Sequence, residues 1–316
     1  MILIFSTTKD QATMLVTLNL KEKYYRINTD IDHTELRMSL TSAKTNFVFD
    51  INYGSVLINL DSVSKIWYRR GKGICDSYIE EIDKTCRPFF EENLTVVNEC
   101  FFQAKGNIIL GSYHKEKYLN KLDNLRLASV CGLPIPPSLV TSCNEQLNQF
   151  LKSNLKVITK PIKHPISFRN KNRITTPSSG VLIITDSKTF SQKFPLTLFQ
   201  KYIEKKFELR IFFIEGWFYT AAFFSQLNED SKIDYRDGNP LKIRTVPFRL
   251  PTEVKEKIVK FMQKAELTTG SIDMIVDKEN QFYFLEVNPS GQFLSMSEAC
   301  NFYIERKIAN YLEYDA

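Results

Sequence analysis

The stretch from Gly270 to Phe293 constrains the chain more than any other. Two short apolar runs, Ile272 to Val276 and Phe282 to Val287, flank the polar turn Asp277-Lys278-Glu279-Asn280-Gln281, a pattern that predicts a β-hairpin. Glu286 and Asn288 are two apart and share a face of their strand. A register with Asp273 opposite Glu286 gathers three oxygen-bearing side chains at one place. That donor set suits a hard divalent cation, because Mg²⁺ is held by one or two carboxylates while substrate phosphates and water complete its shell. The competing reading is a hairpin whose polar residues simply face solvent. Tyr202, Phe282 and Phe284 are assigned to the core, as most strand aromatics are.

The rest of the composition narrows the class. With 316 residues, 43% of them hydrophobic and 25% charged, the chain is an ordinary globular protein of two domains or a few lobes. A net charge of +6 suits an anionic ligand or an acidic peptide and is too small to indicate nucleic acid. Six cysteines with no Cys-x-x-Cys pair, and scattered His33, His114 and His164, exclude zinc and a disulfide framework. Reduced thiols point to the cytoplasm. Met1 to Phe5 is too short for a signal-peptide core and reads as a first strand, and no apolar run approaches the roughly 20 residues that span a bilayer.

Read in order, residues 1 to about 110 form an α/β lobe. Ile2–Phe5 and Ser64–Tyr68 are strands, Phe47–Ile51 and Ser55–Leu60 form a hairpin around Asn52-Tyr53-Gly54, and Ser77–Lys105 is helical with a boundary or kink at Pro88. Ser112 caps a helix from Tyr113 to Cys131 with the apolar stripe Tyr118, Leu122, Leu125 and Ser129. Gly132 ends that helix, and Leu133-Pro134-Ile135-Pro136-Pro137 forces an extended crossing into the next lobe. Ser142 and Glu145 make a capping box, and Lys156–Lys160 is a strand. The basic segment Ile162–Gly180 is a mobile loop or hairpin, and Val181–Thr185 and Leu198–Ile203 are strands. Glu208–Ile214 and Trp217–Ser225 form a hairpin turning at Glu215-Gly216. Leu227–Pro240 is a charged loop and Ile243–Leu250 a strand interrupted by Pro247. Thr252 caps a helix to Leu267, and a terminal helix runs from Ser295 to Leu312.

Neither a Gly-x-x-x-x-Gly-Lys-Ser/Thr loop nor a Gly-x-Gly-x-x-Gly turn is present, so a phosphate ligand has to be held by side-chain cations and metal. The candidates are Lys121, Lys160, Arg210 and Arg244. Arg69 and Arg70, at a strand end before Gly71-Lys72-Gly73, either clamp an anion or form a solvated basic turn.

The order of these pieces resembles the ATP-grasp superfamily over roughly residues 112 to 312: Asn120-Lys121 before a helix ending in Gly132, Lys160-Pro161 at a strand end, Gln200-Lys201-Tyr202-Ile203, Glu208-Leu209-Arg210, then Asp273 and Leu285-Glu286-Val287-Asn288-Pro289. Within it, the chain is most similar to the graspetide synthetases, the microviridin-type and grasp-with-spasm peptide-maturing ligases. The narrower likeness is carried by Ile66-Trp67-Tyr68-Arg69-Arg70, by Asp234-Tyr235-Arg236 followed by Arg244-x-x-Pro247-x-x-Leu250-Pro251, and by the ending Glu286 to Phe293.

The resemblance implies an α/β ATP-grasp fold with an N-terminal pre-ATP-grasp lobe (1–111), a linker helix and central lobe (112–196) and a C-terminal lobe (197–316), with nucleotide between the last two. It implies that Lys121 and Lys160 reach the phosphates, Gln200, Lys201, Tyr202 and Ile203 meet adenine, Glu208 lies near the ribose and Arg210 near the phosphates. Asp273, Glu286 and Asn288 match the magnesium ligands. Lys160, Arg210, Arg236 and Arg244 are the catalytic cations. Lys201 stands where many relatives have an acid, so adenine recognition leans on backbone groups, and the segment Ile162–Gly180 lacks the relatives' glycines. The implied activity is ADP-forming ligation, in which Asp or Glu side chains of a ribosomal precursor peptide become acyl phosphates and are captured by Thr or Ser hydroxyls or Lys amines. Arg69, Arg70, Lys163, Arg169, Lys171 and Arg173 are the candidates for contacting that acidic peptide, with a solvated loop as the alternative. Glu208 pairing with Lys205 or Lys206 also stays open. A homodimer is expected. The rival readings are a ligase adding amino acids to a protein, as ribosomal-protein glutamate ligases do, and a non-catalytic nucleotide- or peptide-binding protein.

Overall fold

An N-terminal apolar run with no polar alternation suits a strand covered on both faces. In the computed structural model, which describes residues 1–30, 36–43, 46–53, 55–74, 79, 81–104, 109–162, 168–170, 173–175, 181–227 and 243–314, that strand is β1 (Ile2–Ser6), and Ile2, Leu3, Ile4 and Phe5 are fully buried. Asp10 caps α1 (Gln11–Thr17) by accepting from the Thr13 amide. After β2 (Tyr24–Asn28) comes an antiparallel meander of β3 (Leu36–Ala43), β4 (Asn46–Tyr53) and β5 (Val56–Asn59), then β6 (Lys65–Tyr68). Helix α2 (Arg87–Ala104) leads to β7 (Ile109–Leu110), and the parallel sheet has the order β2-β1-β6-β7. Its lower core joins Leu3, Phe5, Ile66 and Tyr68 to Phe49 and Ile51 of the meander and Phe101 and Phe102 of α2. Each of these large side chains contributes about 1.5–3 kcal/mol when fully buried.

Helices α3 (Tyr113–Tyr118) and α4 (Lys121–Val130) follow. Beyond the proline-rich crossing, β8 (Ser138–Cys143), α5 (Asn144–Asn154), β9 (Val157–Lys160), the hairpin β10 (Phe168–Asn170) with β11 (Arg173–Thr175), β12 (Leu182–Ile184) and β13 (Lys193–Lys201) give an antiparallel sheet ordered β12-β9-β13-β8. Its inner face packs Val157 and Phe199 on Leu147 and Leu151 of α5. A second sheet, β16-β15-β14-β17-β18, is built from β14 (Lys205–Ile214), β15 (Trp217–Phe224), β16 (Arg244–Pro247), β17 (Thr269–Asp277) and β18 (Phe282–Asn288). Helix α6 (Thr252–Lys264) covers it through Phe261, whose ring lies 4.9 Å from that of Phe284. The β14–β15 turn places Glu215 and Gly216 at φ 42° and 85°, the left-handed pair that suits a two-residue hairpin. Helices α7 (Leu294–Ala299) and α8 (Ile304–Glu313) end the chain.

Packing divides the chain into two compact units, one of residues Met1–Leu119, Leu267–Gly270 and Pro289–Ala316, the other of Asn120–Glu266 and Ser271–Asn288.

Several expected boundaries move for identifiable reasons. The single helix expected over Tyr113–Cys131 is two, because Leu119 is extended (ψ 123°) and Asn120 starts a new helix by accepting from the Leu122 and Asp123 amides. The expected terminal helix Ser295–Leu312 is broken where Asn301 and Tyr303 take φ 52° and 53°. Pro88 lies in the first turn of α2, where its missing N–H costs nothing, and the helix begins at Arg87 rather than Ser77. The capping box at Ser142 does not form: Cys143 holds the cap position and the Asn144 amide instead donates to Ser187 O and Phe190 O. Pro251, not Thr252, precedes the first residue of α6, and β16 stops at Pro247. Strand β3 has no counterpart in the expected set.

Candidate functional site

The hairpin expectation sits on β17 and β18. Asp273 is paired with Glu286 and Ser271 with Asn288, so the three oxygen donors share one face. The register shifts between Asp273 and Met274, with Glu286 and Phe284 opposite consecutive residues of β17. This bulge has a purpose that alternation alone cannot serve. Phe284 and Glu286 are two apart and in a regular strand would face the same way. The extra residue sends Phe284 to the Phe261 core and leaves Glu286 among the acids.

Two cations meet these carboxylates. Arg210 Nη1 lies 3.4 Å from Asp273 Oδ1, and Lys121 Nζ lies 2.9 Å from Glu286 Oε2. The four side chains are only 11–25% exposed, so these attractions are less screened than surface pairs. Lys121 also donates to Pro161 O at 3.5 Å, which ties its ammonium to the residue after Lys160 on the other sheet. Lys121 owes this place to Asn120, whose cap makes it the first residue of α4, and α4 packs on β18. Two carboxylates and an amide with no histidine or cysteine among them fit a hard cation. Among the described residues there is no cluster of three or more His, Cys, Asp or Glu.

The second wall is the outer face of the β9–β13 ladder. Leu198 pairs with Lys160 and Gln200 with Ile158, which puts Lys160, Ile158, Leu198 and Gln200 on the side away from α5. Gln200 is completely buried. Its Nε2 donates to Ser138 Oγ at 2.9 Å, while Oε1 has no hydrogen-bond partner among the described residues. In the strap that follows, the Lys201 N–H donates to Pro137 O at 2.8 Å and the Tyr202 N–H to Lys156 O at 3.0 Å. The Lys156 ammonium sits 4.0 Å from the centre of the Tyr202 ring. Ile203 is largely buried, and no described residue engages its N–H. One buried acceptor and one backbone donor are thus available a few residues apart.

Other expected residues fall elsewhere. Glu208, buried, accepts from Lys205 Nζ at 2.6 Å and Ser225 Oγ at 3.0 Å. That is the internal-pair alternative. Arg244 pairs with Phe224 and its guanidinium lies 5.5 Å from that ring's centre. Glu208 pairs with Phe223 and Arg210 with Ala221, so Arg244 lies on the opposite face and does not join Arg210. Arg69 and Arg70 are not a solvated turn: both are engaged inside the first unit, with Asp10 and Ser290. Asp10 and Glu116, which converge on them, carry no local sequence signal. Arg236, Lys163 and Lys171 lie outside the described residues. Arg169 and Arg173 occupy facing strands β10 and β11.

Residues 1–125 match the family model of the MvdD pre-ATP grasp domain. No curated protein matches the sequence. Among solved structures, the macrocyclase MdnC bound with precursor peptide MdnA from Microcystis aeruginosa MRC shares 25% identity and a TM-score of 0.82, covering 100% of both chains. A RiPP-associated ATP-grasp ligase from Chryseobacterium gregarium, in complex with ADP and a leader and core peptide, gives 24% identity and a TM-score of 0.84 over 100% of this chain and 97% of that one. D-alanyl-alanine synthetase A from Vibrio cholerae, at 12% identity and a TM-score of 0.54 over 99% of this chain and 97% of that one, has the same fold. With that N-terminal domain and this fold over its whole length, the chain has the ATP-grasp fold and is similar to peptide-maturing ATP-grasp ligases.

Proposed function

We propose that the protein uses Mg·ATP to link acidic side chains of a ribosomal precursor peptide to Thr or Ser hydroxyls or to Lys amines, closing ester or amide rings. A carboxylate is a poor acyl donor. Its oxygen attacks the γ-phosphorus, the bond to the β-phosphate oxygen breaks, and ADP leaves. The hydroxyl or amine then attacks the acyl carbon and loses its proton as phosphate departs, so each ring costs the peptide one water. Bound Mg²⁺ supplies charge neutralisation across the transferring phosphoryl group. Asp273, Glu286 and Asn288 hold it, Lys160 and Lys121 meet the phosphates, and Arg210 balances the charge that develops between them. Gln200 Oε1 and the Ile203 N–H suit the donor and acceptor of an adenine edge.

The observation that carries this reading is Lys121, whose one ammonium reaches both Glu286 and the carbonyl beside Lys160. Before nucleotide arrives, the pairs Lys121–Glu286 and Arg210–Asp273 satisfy each other's charges. Binding metal and phosphate exchanges both pairs at once. The same reading includes a leader and acidic core as partner, the hairpin β10–β11 as a contact for it, the lobes 1–111, 112–196 and 197–316, a homodimer and a cytoplasmic setting. Asp273→Ala, Glu286→Ala and Asn288→Ala are each expected to abolish ATP-dependent water loss from a precursor followed by mass spectrometry. Full modification by those variants sinks the metal assignment.

A further inference from the structure

A glutamine amide is a donor at one end and an acceptor at the other, and turning it over changes its chemistry without changing its shape. Which way it points is set by its hydrogen-bond network. Gln200 is completely buried, and its Oε1 has no partner among the described residues. At its other end stands Ser138, the residue directly opposite it on β8, with Oγ 2.9 Å from Gln200 Nε2.

The Ser138 hydroxyl carries one proton, and it donates that proton to Pro136 O at 2.7 Å. A carbonyl can only accept, so the direction of this bond is fixed. Ser138 Oγ is left with lone pairs alone to offer Gln200, and Gln200 has to face it with the NH₂ end. An amide turned the other way sets Oε1 against Oγ, or draws the proton from Pro136 and strands that carbonyl. The carbonyl is itself held in place. Pro136 precedes Pro137 and is kept extended, and Pro137 O accepts from the Lys201 N–H at 2.8 Å, next to Gln200 in the chain. All of these residues belong to the second unit.

We propose that Ser138 is a positioning residue that sets the base preference of the nucleotide site: by donating to Pro136 O it holds Gln200 with Oε1 as the end that meets the base, so that the site takes a 6-aminopurine and refuses a 6-oxopurine. The proposal rests on the adenine reading above and adds what selects the base. Adenine presents an amino donor at C6 and an acceptor at N1. These match Gln200 Oε1 and the Ile203 N–H, which no described residue engages. Guanine presents an oxygen at C6 and an N–H at N1, which sets acceptor against acceptor and donor against donor. Without the hydroxyl the amide has no reason to keep one orientation, and Nε2 is able to turn toward a 6-oxo group.

Calorimetric titration with ADP and with GDP, in Mg²⁺ and without peptide, tests this on wild type, Ser138→Ala, Ser138→Val and Ser138→Thr. Ser138 lies at the exposed start of β8, so all three variants are expected to fold, which circular dichroism checks. Wild type is expected to bind ADP more tightly than GDP. In Ser138→Ala and Ser138→Val the ratio of the two affinities is expected to fall about tenfold, the scale of one hydrogen-bonding group left facing a wrong partner, with ADP weakened and GDP strengthened. Ser138→Thr has the shape of the valine variant and the hydroxyl of serine, and is expected to keep the wild-type ratio. An unchanged ratio in Ser138→Val, or ADP and GDP weakened alike there, overturns the role of Ser138, and so does a wild type that binds the two equally. Gln200→Met distinguishes this failure from failure of the adenine reading. Unchanged ADP affinity in Gln200→Met removes Gln200 from the site and takes the proposal with it. Weakened ADP binding in Gln200→Met beside an unchanged ratio in Ser138→Val leaves the adenine reading standing and overturns the proposal alone.

Discussion

Gln200 is buried with its amide half satisfied, since Nε2 has Ser138 while Oε1 has no partner among the described residues. A buried polar atom left without a partner costs about 1–3 kcal/mol, a cost that a ligand donor removes. Gln200→Met is therefore expected to leave the nucleotide-free protein as stable as wild type or more so in urea titration, and to weaken ATP binding about tenfold in calorimetry. Equal ATP affinity in the two proteins contradicts the adenine assignment. Glu116 makes a prediction of a different kind. Burial raises its carboxyl above the ordinary 4.5, against the lowering pull of Tyr68, Ser290, Arg70 and Arg69. The native state then holds this proton more tightly than the unfolded chain. Its stabilising contribution is fully present below pH 4.5 and is lost as pH rises through the raised native value. Relative to wild type, Glu116→Gln is expected to gain in unfolding midpoint between pH 4 and pH 8. A steady decline in that difference shows that pairing with Arg69 and Arg70 outweighs burial.

At the scale of elements, Asn120 starts the helix that delivers Lys121. Removing an N-cap side chain costs about 0.5–2 kcal/mol. Asn120→Ala is expected to lose that much in chemical denaturation and to weaken ADP binding, while Asn120→Asp retains both. Unchanged ADP affinity in Asn120→Ala separates the cap from the site. Strands β17 and β18 were legible because their signal is local. Apolar runs, a polar turn and a spacing of two place Asp273 opposite Glu286 without knowledge of the rest of the chain. The bulge beside them was not legible, since it answers a demand from Phe261 on α6 for the Phe284 ring. Asn120 looks like one polar residue in a helical pattern, and only the extended Leu119 before it turns it into a cap. The partners of Arg69 and Arg70 were hidden for the same reason: Asp10, Glu116 and Ser290 meet them through the fold of the first unit and through no pattern of spacing.

At the scale of the molecule, the chain reads as a scaffold that brings charges together without a glycine-rich phosphate loop. In the first unit a parallel sheet holds the segment from Ser290, and in the second two antiparallel sheets carry the acids and cations. No described helix is long and apolar enough to cross a membrane. The net charge of +6 is modest, and the proposed recognition of an acidic peptide rests on local basic positions such as Arg169 and Arg173 on β10 and β11. The central claim is ATP-driven ring closure within one peptide. Its most direct measurement follows, in a single incubation with Mg·ATP and a peptide bearing a leader and Asp/Glu with Thr, Ser or Lys positions, both the ADP formed and the peptide mass. One ADP per water lost, with no mass added, is the result this account predicts. ADP formation accompanied by added amino-acid masses, or by no change in the peptide, contradicts it.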